Sequence, residues 1–493
     1  MNSQNKEYMK RCITGIAFIF IMVTGLFAQD ASGALELDLQ KAISYAMEHN
    51  KELKNARQEL VKSDRSIWES ISQGLPQADL LMDYMTYFNY ELEFSFGGDM
   101  GTPTAGEIAN AFSATQEAFP GTSVAEINQG INYHNIGSTF QGALSEEQGG
   151  STILMSDQLT AKMQVSQLVF SGQYIVGIQT AKLGKIIARQ ALDNSEVGTK
   201  ESVINAYYLV LISERSLDFV DRNLENLEKI FIQTKRMVEA GMAEKIDADQ
   251  FQITVNQLEN TKRMMERNLE LNYNMLRFTL GLPAETEISL TDNLDNLFSE
   301  MAAVNLLMEE FDPEENITYQ IMDSQAEINK KLWSMEKWNY GPTLAGFYNY
   351  NFKILTTGFD MTPTHLLGFS LTMPVFSSGL RDAKVDQARI EYEISARNAE
   401  IMADQLELQN RQLKYNLQSS LENYETQKEN VEVAGDVLDN YRRKYENGMA
   451  SSLDVTQSNS NYLDAQSTYL NAMFEVMSAR IQLEKLMNNL STL

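Results

Sequence analysis

Two kinds of hydrophobic periodicity alternate along this 493-residue chain. After Pro76 apolar side chains recur at every second position. Leu80, Met82, Tyr84, Phe88, Tyr90, Leu92 and Phe94 fall on one side of an extended chain, and Asp79, Asp83, Asn89, Glu91, Glu93 and Ser95 fall on the other. After Pro342, Leu344, Tyr348, Tyr350 and Phe352 oppose Thr343, Asn349 and Asn351. Leu367, Phe369, Leu371, Met373 and Val375 then oppose Ser370 and Thr372. This alternation predicts strands with one apolar and one polar face, over about 77–96, 160–171, 343–353 and 366–376. Between them lie tracts rich in Leu, Ala, Glu, Gln, Lys and Met, which predict helices over about 174–239, 251–280, 381–445 and 453–486. At about 1.5 Å per residue the first would extend on the order of 100 Å. In the last, Tyr462, Tyr469, Val476 and Leu483 recur every seven residues beside Leu463, Leu470 and Met477, and Ala465, Ala472, Ala479 and Leu486 form a further row. Several adjoining apolar rows predict contact with more than one neighbouring helix. A soluble bundle would carry the same periodicity.

The pattern is written twice. Asn50 precedes Pro76 by 26 residues, and Asn316 precedes Pro342 by the same interval. Val169-Phe170-Ser171 matches Val375-Phe376-Ser377, and Glu239-Ala240-Gly241-Met242 matches Glu446-Asn447-Gly448-Met449. Residues 121–282 and 375–493 contain no proline, as long helices require. Each half therefore reads as helix, Pro, strands, long helix, Gly-Met turn and helix. The first half is longer between Pro and Val-Phe-Ser, and the surplus falls in a Gly-, Ser-, Thr- and Ala-rich stretch. That stretch predicts a surface loop over 97–160, with a short helix near 107–119.

Composition narrows the setting. Lys6, Lys10 and Arg11 precede an apolar run from Ile13 to Phe27, the layout of a secretory leader over 1–28. Cys12, the one cysteine, lies inside it, so the remainder has no disulfide and no thiolate chemistry. The formal net charge is −27; the leader's four charged residues sum to +2, which leaves −29 for the rest. A surface this acidic argues against nucleic acid as partner. No catalytic pattern is present. His49, His134 and His365 are scattered and match no metal spacing, and there is no G-x-S-x-G or H-E-x-x-H. No catalytic, cofactor or metal site is expected.

Apolar-out, polar-in strands with aromatics near their ends suit a membrane β-barrel, whose water-filled lumen would hydrate Asp79, Asp83, Glu91 and Glu93. A soluble half-buried sheet is the alternative. Two strands per half make four per chain, and the smallest membrane barrels need about eight. An open edge in lipid leaves backbone groups unpaired, so several copies must share one barrel. Three copies give twelve strands, wide enough to leave a passage.

Together the leader, the duplicated halves and the hinge motifs resemble the outer-membrane efflux protein family, the TolC-like channels, over about residues 35–490. Leu37, Leu39, Ala42, Ile43, Ala46, Asn50 and Leu53 match the family's opening, with Lys51 where Pro is frequent. The resemblance implies a mainly α protein with a membrane β-barrel. In that arrangement a homotrimer joins an α-helical tunnel to a shared 12-stranded barrel in the Gram-negative outer membrane. It implies a first repeat over 29–282, an equatorial region over 283–330 that also takes in both chain ends, and a second repeat over 316–493. A periplasmic adaptor (membrane fusion protein) and an inner-membrane transporter of RND or ABC type are the implied partners. The implied function is passive exit for efflux or type I secretion.

By the same resemblance the Gly241-Met242 and Gly448-Met449 turns are the tips where the adaptor docks. Asp454 falls where an acidic ring narrows the channel. Tyr445 and Asp247 fall on positions joined by a gate-holding hydrogen bond. Gln457 stands where a second ring Asp is usual, and Ala450 where a gate Arg is usual. Helix-start electrostatics is the plainer role for Asp454 and Asp247, and interhelix packing for Tyr445. Two other readings fit the sequence: a periplasmic coiled-coil adaptor or scaffold, and a surface receptor or adhesin working through loop 97–160.

Overall fold

The computed structural model describes residues 35–86, 90–94, 151–155, 157–299, 303–355 and 362–492. The leader, most of the 97–160 loop and the short helix expected within it lie outside these. The chain forms two compact units. A helical unit draws on Met1–Ser70, Ile175–Tyr340 and Phe376–Leu493, and a β unit on Ile71–Tyr174 and Gly341–Val375.

In the β unit, β2 (Gln77–Met85), β5 (Gln158–Ser171), β7 (Thr343–Leu355) and β8 (His365–Thr372) form one antiparallel sheet in the order β2-β5-β7-β8. A separate ladder pairs β3 (Tyr90–Phe94) with β4 (Ser151–Met155). The loop expected over 97–160 is thus shorter than its reading. Ser151–Met155 is already strand, and β5 begins at Gln158 rather than 160. The Thr-Ile-Leu-Met run of β4 carries the β-forming signal, but it sits inside the first half's surplus length and reads as insertion.

Directly paired residues share a face, so register sorts the sheet. One face gathers Leu80, Met163 and Tyr350; Met82, Ala161 and Phe352; and Tyr348 with Leu367. The other gathers Asp79, Gln164 and Asn349; Asp83, Thr160 and Lys353; and Lys162 with Asn351. The usual order of burial is inverted. Asn349 is 7% exposed, whereas Phe369 on the apolar face is 72% exposed. Among the described residues, both outer strands, β2 and β8, have a free edge.

In the helical unit, β1 (Leu35–Leu37) pairs in parallel with β6 (Ile288–Leu290). α1 (Leu39–His49) follows, N-capped by Asp38, whose carboxylate accepts from Lys41 N–H at 2.7 Å. Then come α2 (Lys51–Ser72), α3 (Gly172–Glu239), α4 (Lys245–Leu280), the short α5 (Leu294–Ser299) and α6 (Ala303–Met308), α7 (Ile317–Lys337), α8 (Leu380–Glu446) and α9 (Ser452–Leu486). The long helices start and stop within a few residues of the expected bounds, except α4, which begins six residues before 251.

Two asparagines act as staples. Asn50 Nδ2 donates to the Thr279 carbonyl at 2.8 Å near the end of α4, and its Oδ1 accepts from Leu53 N–H at 3.0 Å. Asn316 Nδ2 donates to the Leu486 carbonyl at 2.8 Å at the end of α9, and its Oδ1 accepts from Thr318 N–H at 2.9 Å. Each caps the helix it precedes and ties that helix to the second arm of its own hairpin. The core includes Ile204, Tyr207, Leu276, Leu417, Met473 and Met477. All three rows expected on α9 reach it, through Val476 and Leu483, Leu470 and Met477, and Ala472 and Ala479.

Candidate functional site

Both hairpin turns close in the same way. At the first, Met242 N–H bonds the Met237 carbonyl at 2.8 Å and Gly241 N–H bonds the Val238 carbonyl at 3.0 Å. At the second, Met449 N–H bonds the Lys444 carbonyl at 2.8 Å and Gly448 N–H bonds the Tyr445 carbonyl at 2.9 Å. These are paired Schellman bonds, and they need a left-handed residue after the helix. Gly241 at φ 72° and Gly448 at φ 70° supply it.

The turns differ in how the returning helix starts. Ser451 N-caps α9 through a reciprocal box: Asp454 N–H bonds Ser451 Oγ at 3.2 Å, and Ser451 N–H bonds Asp454 Oδ2 at 2.9 Å. The Ser451 hydroxyl also donates to Asp454 Oδ2 at 2.7 Å. That hydroxyl, and then the Ser451 backbone, hold the Asp454 carboxyl below the usual aspartate range. Glu244 occupies the matching position before α4 and makes no side-chain cap. Asp247, the counterpart of Asp454, instead accepts from Ser452 Oγ at 2.6 Å and so joins α4 to α9.

Tyr445 is held between hairpins. Its hydroxyl shares a 2.9 Å bond with Thr234 Oγ1 on α3, and its ring meets the buried Phe251 of α4 edge-on at 5.3 Å. Burial pushes the Tyr445 phenol up from its ordinary value. Within one copy Tyr445 bonds Thr234, and Asp247 bonds Ser452, rather than each other. Gln457 is exposed and donates to Asn461 at 3.0 Å. It lies in a groove of about 310 Å³ lined by Gln250, Thr254 and Gln257 of α4 and Thr456 and Ser460 of α9. The groove's lining carries no charge, so water can replace the contacts there at small cost.

Met242 and Met449 stand out from the turns, with Met449 70% exposed. Sequence reasoning missed their companions Ile246 and Leu453, which are also exposed. The signal was available: Gly-Met-Ala-x-x-(Ile/Leu)-Asp occurs at 241–247 and again at 448–454. It also missed Thr234 and Ser452 as partners.

The strand residues belong to the β unit. Asp79 and Asp83 are exposed on edge strand β2, opposite Gln164 and Thr160. Glu91 and Glu93 lie on β3, in register with Leu154 and Thr152. Among the described residues no helix is long and apolar enough to cross a membrane. None of them forms a cluster able to hold a metal ion.

The chain combines a four-stranded sheet that exposes its apolar face with duplicated long helical hairpins, and this combination defines its fold class. Known proteins agree. The profile of the family described as "Outer membrane efflux protein" matches residues 342–489, the second repeat. The outer membrane protein TolC of Vibrio cholerae serotype O1 is 22% identical over 346 residues, covering 68% of this chain and 78% of that one. The fold is shared with CusC, at TM-score 0.66 and 13% identity over 94% of this chain and 95% of that chain. It is also shared with the outer membrane protein VceC of Vibrio cholerae, at 0.62 and 15% over 91% and 95%. The chain has the TolC-like fold, and its residues 342–489 are similar to the outer membrane efflux protein family.

Proposed function

We propose that this protein is the passive exit duct of a tripartite efflux or type I secretion system, trimeric in the outer membrane of a Gram-negative cell. The observation that carries the reading is the inverted sheet. Burying Asn349 while exposing Phe369, Leu367 and Leu80 disfavours solution in water and suits lipid on one side and a wet lumen on the other. Four strands with two free edges require further copies, and three complete a twelve-stranded barrel. Asp79, Asp83, Glu91 and Glu93 then face the lumen.

The helical unit extends into the periplasm. Met242 and Met449, on their Gly241 and Gly448 turns, present apolar knobs to a periplasmic adaptor, which connects the duct to an RND- or ABC-type inner-membrane pump. The pump supplies the energy. Asp454, Asp247, Tyr445 and Gln457 form the constriction. Opening exchanges the Ser452–Asp247 and Tyr445–Thr234 bonds for adaptor contacts near the uncharged groove between α4 and α9.

The test is conductance of the purified protein in planar bilayers, with fractionation of the native envelope. Cation-preferring pores and outer-membrane recovery are expected, and Asp454→Ala should reduce cation preference and divalent-cation block. A water-soluble protein without conductance refutes the duct. Unchanged selectivity in Asp454→Ala refutes the constriction alone.

A further inference from the structure

The helical unit holds a groove of about 770 Å³, lined by α3, α4 and α9 and by the junction of α1 with α2. That is room for a drug-sized organic molecule. The sequence keeps it open. Gly198 lies on its wall, inside α3, where glycine weakens a helix relative to alanine. A Cβ placed on Gly198 would meet nothing within 4 Å. A larger residue here would improve the helix and fill the groove.

The walls are amphipathic. Apolar surface comes from Leu209 on α3, Met275 and Phe278 on α4 and Phe474 on α9, and Phe278 is 76% exposed. Two polar side chains of α3 share these walls. Thr199 is only 7% exposed and makes no hydrogen bond among the described residues, whereas nearby Ser202 donates to the Gly198 carbonyl at 2.8 Å. Asn205 Oδ1 is buried and has no hydrogen-bond partner among the described residues either. Buried polar groups are nearly always bonded, so these two specify what an occupant offers. Asn205 Oδ1 can only accept, which calls for an N–H or O–H donor; the Thr199 hydroxyl can do either.

Charge at the groove is balanced. Lys485 Nζ meets Glu201 Oε2 at 2.7 Å, and Lys51 and Glu52 stand side by side, both exposed, at the start of α2. An ionic ligand would find no net opposite charge, and its desolvation would go uncompensated. A neutral ligand incurs no such cost.

We infer that this groove is a binding site for an uncharged aromatic amphiphile that carries an N–H or O–H donor. The rings lie against Phe278, Met275 and Phe474, over Gly198, and the donor meets Asn205 Oδ1. Every group named belongs to one copy's helical unit, so binding here does not depend on the proposed duct. If the duct holds as well, neutral aromatic cargo pauses at this wall on its way out.

The test uses the full-length protein in detergent and N-phenyl-1-naphthylamine, a neutral arylamine whose fluorescence rises in apolar surroundings. A saturable rise is expected. Gly198→Leu should weaken it at least tenfold, with helix content retained on circular dichroism, because leucine is the better helix former. Asn205→Leu keeps the bulk of the side chain and removes the acceptor. It should weaken the arylamine about fivefold, the worth of one hydrogen bond. It should leave unchanged the competing affinity of 1-benzylnaphthalene, which has CH₂ in place of N–H. A rise that does not saturate, or is the same in both variants, means partition onto other apolar surface and overturns the site. Equal weakening of both probes by Asn205→Leu overturns the assigned donor contact. No saturable rise at all, as when a second copy covers the groove, also overturns the site. Conductance and envelope fractionation read the duct separately, so either reading can fail without the other.

Discussion

The first and second repeats fold to the same plan and are fastened with different strength. Asn50 and Asn316 make the same pair of bonds, but Asn316 is buried and Asn50 is half-exposed. The Gly241 and Gly448 turns close through the same backbone bonds. Beyond the turn, α9 begins with a reciprocal Ser451–Asp454 cap, and α4 begins with Glu244 and no side-chain cap. Duplication has kept the features that fix the path of the backbone. It has let the features that fix local rigidity diverge, and the first hairpin has come to borrow a bond from the second through Ser452 and Asp247.

The comparison breaks most visibly at the staples. Asn316→Ala strands the buried Leu486 carbonyl and removes a helix cap, and it is expected to cost about 2–3 kcal/mol. Asn50→Ala should cost about 1–2 kcal/mol, because water reaches its neighbourhood. Denaturant unfolding followed by circular dichroism checks both, and equal losses would mean that the burial difference has no energetic weight. The turns should behave alike: Gly241→Ala and Gly448→Ala each force an L side chain into the left-handed region, at about 1 kcal/mol. A large inequality in the same melts would contradict the shared geometry.

The caps should behave unalike. Ser451→Ala is expected to cost about 1 kcal/mol, while Glu244→Ser gives α4 its missing cap and gains about 0.5 kcal/mol. Amide exchange in the first turns of α4 and α9 reads each locally. The smallest effect is that of pH. The folded Asp454 carboxyl titrates below its unfolded value, so its support for the second turn is present above the ordinary aspartate pKa and is lost as pH falls through the depressed one. Exchange at the α9 start should quicken on acidification below that ordinary value. Asp454→Asn should remove the step.

Much of this was legible in the residues. The long helices show as proline-free tracts, the strand faces as alternation, and the halves as repeated Asn–Pro and Gly-Met spacings. β4 was not legible as a strand, because the length difference between halves pointed to an insertion. The partners at the turns were hidden for a different reason. Whether Tyr445 bonds Asp247 or Thr234 depends on how two hairpins lie against each other, and no local pattern encodes that. Burial of Asn349 beside exposed Phe352 likewise emerges only once four strands are set in register.

Two long-range clasps in the helical unit bear on the order of folding. Leu39 N–H meets the Asp292 carboxylate at 2.8 Å across 253 residues of sequence, and Asn316 reaches Leu486 across 170. Contacts so far apart form late, because a long stretch of chain must first be brought together. A polypeptide threaded through a translocon with its N-terminus leading cannot fasten its first half until residue 292 has emerged, nor its second until almost the whole length has passed. On the proposed export route, the placement of these clasps would delay locking until most of the chain has emerged.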